Sequence, residues 1–204
     1  MKQEAEWMGY HVVLASASPR RKELLAQIGI RAEICPSLLP EEAAGKSPEE
    51  LVMELSRRKA EDVAARFGPG TLVIGADTVV AADGAVMGKP KTVEAACEML
   101  GRIQGRSHSV YTGVTVVACQ KEGVRHGVTF AERTEVHVYG MSREEIRAYA
   151  ESGEPLDKAG GYGIQGLFAA YIKGIEGDYS SVVGLPLGRL VHETKRLLEE
   201  QEDD

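Results

Sequence analysis

The chain has 204 residues, with 24 Lys and Arg against 31 Asp and Glu for a formal net charge of −7, so its overall field repels a polyanion and argues against nucleic-acid binding. Its 3 cysteines, Cys35, Cys97 and Cys119, are far apart and form no CxxC pair, a pattern that suggests neither a disulfide framework nor a zinc site. No segment approaches about 18 uncharged apolar residues and no leader pattern opens the chain, so the expectation is a soluble, cytoplasmic protein with no membrane partner.

Residues 11–29, HVVLASASPRRKELLAQIG, read as a buried strand entering a helix, with Ser18 as N-cap, Pro19 at the first helical position, apolar Leu24, Leu25 and Ile28 on one face and Gly29 as the stop. Three cations, Arg20, Arg21 and Lys22, crowd the first turn. A helix N-terminus is already partly positive, so each added cation there costs roughly 0.3–1 kcal/mol unless an anion is nearby. Strand, small-residue turn and helix N-terminus together form a phosphate site, to which Ser16 and Ser18 add hydroxyls and an arginine of this turn a two-point fork. A solvated basic turn is the plain alternative.

Glu41 and Glu42 follow Pro36 and Pro40 in a loop, where paired carboxylates either hold magnesium or are simply solvated. Ser47-Pro48-Glu49-Glu50 is a capping box opening a helix to about Phe67, ahead of Gly68-Pro69. Next, TLVIGADTVVAADG at 71–84 reads as an apolar strand broken by Asp77. A carboxylate there is costly unless it pairs, binds metal or titrates, so Asp77 is either a general base or metal ligand, or a turn-capping residue. Lys89 sits between Gly88 and Pro90 in a short loop, as a point charge for phosphate or as a solvated lysine. Thr92 caps a helix to about Arg102, strands 107–119 and 127–139 form an antiparallel pair, and Ser142-Arg143-Glu144-Glu145 caps a helix ending at Gly153.

The segment 154–166, EPLDKAGGYGIQG, contains a formal GxGxxG match, yet no strand precedes it and no helix follows, so the dinucleotide fingerprint is rejected. Its glycines mean close backbone approach or positive φ, consistent with a loop around a flat ligand. Gln165 is the one amide there, offering the donor and acceptor that match N3–H and O4 of uracil or thymine. A strand near 167–173 and a last helix from about Pro186 complete the pattern. The five histidines show no close ligand spacing, and neither a GxxxxGK[ST] loop nor a GxSxG elbow occurs. Helices between strands plus a long hairpin predict an α/β fold with a mixed twisted sheet and flanking helices, as a single domain over 1–204 with 1–10 and 199–204 peripheral.

LASASPRRKELL, VIGADTVV, GKPKT, GRSHSVYTGV, EPLDKAGGYGIQG and GDYSSVVGLPL, in this order, resemble the Maf family of nucleotide pyrophosphatases over about residues 11–195. The resemblance implies two lobes around a cleft in an inosine-triphosphatase-like fold, and metal-dependent hydrolysis of a nucleoside triphosphate to monophosphate and pyrophosphate with Mg2+ or Mn2+. It implies Asp77 as proton acceptor, Lys89 in catalysis, and Ser16, Arg20, Thr78, Lys158 and Gln165 on the substrate. Asp77 and Glu42 would serve the metal, although PSLLPEEAAG departs from the family pattern and leaves Glu41 open as well. SPRR, GADT and YGIQG resemble the branch preferring dTTP and UTP, with normal or modified pyrimidine nucleotides left open as the physiological substrate and the 7-methyl-GTP-type activity as the alternative. The expected partner is a small nucleotide; a homodimer is left open, as is a non-catalytic nucleotide sensor acting in cell division.

Overall fold

The computed structural model describes residues 6–40, 46–120 and 125–202. In chain order it contains β1 (Glu6–Trp7), β2 (Tyr10–Leu14), α1 (Pro19–Gln27), β3 (Glu33–Ile34), α2 (Pro48–Ala64), β4 (Thr71–Ala82), β5 (Ala85–Met87), α3 (Val93–Ile103), β6 (Ser107–Cys119), β7 (Arg125–Val138), α4 (Arg143–Glu151), 3-10 turns over Glu154–Asp157, Ala159–Gly161 and Leu167–Tyr171, β8 (Ile172–Glu176), α5 (Tyr179–Val183) and α6 (Leu187–Glu202). Strands pair in the order β1-β2-β4-β6-β7-β8, with β3 on β2 and β5 on β4. The sheet is mixed, as expected: β2 is parallel to β3 and β4, whereas β1/β2, β4/β5 and β7/β8 are antiparallel. The chain divides into two compact units, one comprising Met1–Asp77, Thr112–Ala131 and Gly184–Asp204, the other Thr78–Tyr111 and Glu132–Val183.

In the first unit, α2 starts at the expected capping box, where Ser47 Oγ accepts the Glu50 N–H at 3.3 Å and Glu50 Oε2 accepts the Ser47 N–H at 3.0 Å. Its buried residues Val52, Leu55, Ser56, Ala60, Val63 and Ala64 recur every three or four positions and face the sheet. Two glycines set how close it comes. A Cβ built on Gly75 of β4 falls 2.3 Å from the Ser56 carbonyl oxygen, and one on Gly113 of β6 falls 2.2 Å from that of Val52, so helix backbone rides directly on strand backbone. The Ser56 hydroxyl beneath it donates to Met53 O at 2.9 Å and meets Thr115 Oγ1 at 3.0 Å, which meets Thr129 Oγ1 at 2.9 Å, leaving this buried polar line satisfied. In α1, Leu24 and Leu25 are buried, but Ile28 is 39% exposed. The helix ends at Gln27, and Gly29 at φ 78° turns the chain so that Ile30 takes the buried place instead.

In the second unit, β4 runs on to Ala82 without the expected break, then reverses through Asp83 and Gly84, both at positive φ (52° and 76°), into β5. Positive φ at both central residues is the two-residue hairpin geometry that follows strand twist. Residues 167–171, expected as strand, wind into a 3-10 turn, and the strand begins at Ile172. The turn drives Phe168 inward against the rings of Tyr149, Tyr162 and Tyr171, at centroid distances of 5.1, 4.8 and 5.6 Å, and this aromatic packing outweighs extended pairing.

His108 and Tyr162 are both buried and share a 2.7 Å bond between Nε2 and the phenol oxygen. Burial, with the neighbouring His137 as a smaller cause, pushes the His108 imidazole down to about 4. The unfolded chain therefore binds the proton more readily between pH 4 and pH 6.5, and stability that is full above that window is lost as pH falls through it, by at most about 3 kcal/mol. His108→Gln keeps a hydrogen-bonding side chain without titration in that range. Calorimetric melting is expected to show the wild-type Tm falling more between pH 7 and pH 5 than that of the variant; parallel slopes would contradict the assignment.

Candidate functional site

The first unit places two predicted residues, Ser16 and Asp77, just past the paired stretch of β2 and β4. β2 and β4 run parallel with Leu14 opposite Ile74, and the Ala15 N–H donates to Ile74 O at 2.8 Å. Both segments then continue past this pair in the same direction, β2 ending and leading into the Ser16–Ser18 turn and α1, β4 running on through Gly75 to Asp77; the carboxyl end of a strand such as β2 is where open α/β sheets bind ligands.

Ser16 is only 8% exposed, and its oxygen accepts from Arg21 Nη1 at 2.9 Å and from the Ser18 N–H at 3.3 Å. With both lone pairs taken, what a serine hydroxyl retains is its O–H donor, which suits an anionic oxygen. Arg21 also donates from Nε to Gly184 O at 2.9 Å, so one of the three crowded cations is structural. Arg20, half-buried, and Lys22, exposed, make no hydrogen bond or ion pair to the described residues. Ser47, Thr92 and Ser142 cap their helices through their side chains, but Ser18 does not, leaving the first-turn N–H groups of α1 without that partner.

Asp77 lies inside β4, not at its end, and is 8% exposed. Its Oδ1 receives Lys59 Nζ at 2.6 Å, with the two side chains 11% and 12% exposed, while Oδ2 has no hydrogen-bond partner among the described residues. This ammonium resolves the cost of the carboxylate in an apolar strand. The sequence reading missed Lys59, although its register is informative: four residues after Leu55 and three after Ser56, it lies on the inward side of α2. The close approach of α2 at Gly75, two residues before Asp77, brings the pair together.

In the second unit, Thr78 is the one residue of β4 that is not buried. Lys89 is exposed, but its loop is fixed: the Gly88 carbonyl accepts the Gly160 N–H at 3.0 Å, and Pro90 lies under Gly161. That bond brings the Lys89 loop against the turn carrying Lys158. Lys158 Nζ donates to Glu154 O at 2.8 Å and to Asp157 Oδ1 at 2.7 Å. Gln165 is exposed and makes no hydrogen bond to the described residues. The glycine run is explained by close contacts within the unit: Gly160 and Gly161 take φ of 70° and 73°, and a Cβ on Gly160, Gly163 or Gly166 would strike Val80, Lys158 or Glu154 respectively.

Glu42, expected to serve a metal, lies outside the described residues, as does Glu41. Among the described residues, no group of three or more His, Cys, Asp or Glu is arranged to hold a metal ion. No helix among them is long and apolar enough to cross a membrane.

Against known proteins, the chain is 50% identical over 198 residues to a dTTP/UTP pyrophosphatase of Agathobacter rectalis, covering 91% of this chain and 97% of the relative. It is 51% identical over 181 residues to a dTTP/UTP pyrophosphatase of Symbiobacterium thermophilum, covering 88% and 90%, and 48% identical over 187 residues to that of Lachnoclostridium phytofermentans, covering 92% and 95%. With residues 11–197 also matching the Maf-like protein family as a whole, the chain belongs to that family.

Proposed function

We propose that the chain hydrolyses dTTP and UTP to the nucleoside monophosphate and pyrophosphate. The observation that carries this reading is Asp77, braced on one oxygen by Lys59 and with no partner for the other among the described residues, on β4 three residues past Ile74, the last partner of β2, whose own chain leads on into the uncapped N-terminus of α1. The names of the relatives support the substrate class.

Water attacks the α-phosphorus, the bond from that phosphorus to the bridging oxygen breaks, and Asp77 Oδ2 takes the proton from water. Lys59 keeps the carboxylate from rotating away. The Ser16 O–H, the free N–H groups of α1 and the Arg20 fork receive phosphate oxygens, while Lys89 and Lys158 offset charge on the departing pyrophosphate. Thr78 and Gln165 select the nucleotide, Gln165 through its paired donor and acceptor. One or two carboxylates plus phosphate oxygens suit Mg2+ or Mn2+; Asp77 and Glu42 would hold the ion, which when bound would polarise phosphoryl oxygens and make water more acidic.

The test is pyrophosphate release from a panel of purine and pyrimidine nucleoside triphosphates, each with and without Mg2+ or Mn2+. Release from dTTP and UTP above all others, dependent on the ion, is expected. Tight dTTP binding without release would overturn the hydrolytic reading in favour of a nucleotide sensor.

A further inference from the structure

We infer that Glu154 is a positioning residue for base selection, because its carboxylate fixes the turn that presents Gln165. This rests on the reading that Gln165 meets the base.

Residues 163–166 form a tight turn closed by the Gly166 N–H donating to Gly163 O at 3.1 Å, which leaves Ile164 and Gln165 at its tip. Both ends are tied to one carboxylate. On the far side, the Leu167 N–H donates to Glu154 Oε2 at 2.9 Å. On the near side, the Gly163 N–H donates to the Tyr149 hydroxyl oxygen at 3.3 Å, and that hydroxyl donates to Glu154 Oε1 at 2.8 Å. Burial and the adjacent carboxylate push the Tyr149 phenol up, so it stays a donor.

The carboxylate also fills the space above the turn: a Cβ on Gly166 would fall 2.3 Å from Oε1. Glu154 is itself held through its backbone, its N–H donating to Ser152 Oγ at 3.3 Å and its carbonyl accepting Lys158 Nζ at 2.8 Å. Tyr149, 5% exposed and stacked 5.1 Å from Phe168, anchors the assembly in the core. Gln165 makes no hydrogen bond to the described residues, so its aim is set by the backbone of this turn. Of the groups that tie both ends of the turn, Glu154 is the common member.

Glu154→Gln keeps the size but places an amide donor against one of two existing donors, and Tyr149→Phe removes the hydroxyl while leaving the ring on Phe168. The readout is kcat and KM for dTTP, UTP and GTP, with melting temperatures, and Glu151→Gln on α4 as a control of unchanged activity. Losing a hydrogen bond to a charged group is expected to raise KM for both pyrimidine nucleotides about tenfold or more. The change in kcat stays within about threefold, and the preference over GTP narrows. In a Gln165→Ala background, Glu154→Gln should add little further loss, since the two act through one contact. Where Glu154→Gln fails to fold, Tyr149→Phe carries the same comparison. Unchanged KM and base preference in Glu154→Gln and Tyr149→Phe, with Gln165→Ala impaired, would overturn the inference and leave the role of Gln165 standing. Full additivity of the Glu154 and Gln165 effects would also overturn it. An unimpaired Gln165→Ala would overturn both.

Discussion

Asp77→Asn is expected to lower kcat for dTTP by roughly 10²–10⁴. Asparagine reproduces the shape of the side chain inside β4, so packing is kept while the proton acceptor is lost. The variant also takes the Asp77 carboxylate away from Lys59, whose side chain is 12% exposed. Removing the charged partner of an ammonium at that depth costs up to about 3 kcal/mol of stability, so a fall in activity must be separated from a fall in folded fraction. Combining Asp77→Asn with Lys59→Met separates the two effects. The double variant removes the ammonium together with the carboxylate and should recover most of the melting temperature lost by Asp77→Asn, yet its kcat should stay near that of the single variant. Pyrophosphate release and calorimetry on the same preparations make the comparison. Near-normal turnover by Asp77→Asn would remove Asp77 from the role of proton acceptor.

What the sequence disclosed followed the distance over which each residue finds its partner. The caps at Ser47, Thr92 and Ser142 close within three residues, and all three helices begin where the sequence puts them. The long strands β6 and β7 were equally legible, the sequence placing them at 107–119 and 127–139. Asp77 is different. Its carboxylate looked like a break in the strand because nothing nearby neutralises it, and the neutralising group, Lys59, stands 18 positions earlier on a helix. Arg21 repeats the lesson at longer range, since its carbonyl partner at Gly184 lies 163 positions away and local charge counting cannot distinguish it from Arg20. The 3-10 turn at 167–171 was hidden for a related reason: its conformation is decided by Tyr149 and Tyr162, brought to Phe168 from elsewhere, together with Tyr171 at its own end, and not by its alternation. The motif residues were visible as chemical types, but the groups that aim them, Lys59 for Asp77 and Glu154 for the Gln165 turn, became visible only as contacts.

Gly75→Ala carries the second large expectation, because it acts on the aim of Asp77 without touching its chemistry. The added methyl would sit 2.3 Å from Ser56 O, 2.7 Å from Ala60 N and 2.9 Å from Ala60 Cβ, and the first two are helix backbone that no rotamer change can clear. The turn of α2 that must retreat bears Lys59 next to Ala60, so the 2.6 Å bond to Asp77 stretches with it. Overpacking of this kind costs about 1–3 kcal/mol, and displacement of a catalytic group by about 1 Å costs on the order of 10² in rate. Gly113→Ala forces the same helix away at Val52, at a distance of 2.2 Å, two turns from Lys59. The two variants should therefore lose similar stability, with the greater loss of kcat falling on Gly75→Ala. Gly68→Ala meets nothing within 4 Å and should change stability by no more than about 0.5 kcal/mol. If Gly75→Ala melts and turns over dTTP like the wild type, α2 does not rest on β4 as described, and the Lys59–Asp77 pair loses its structural cause.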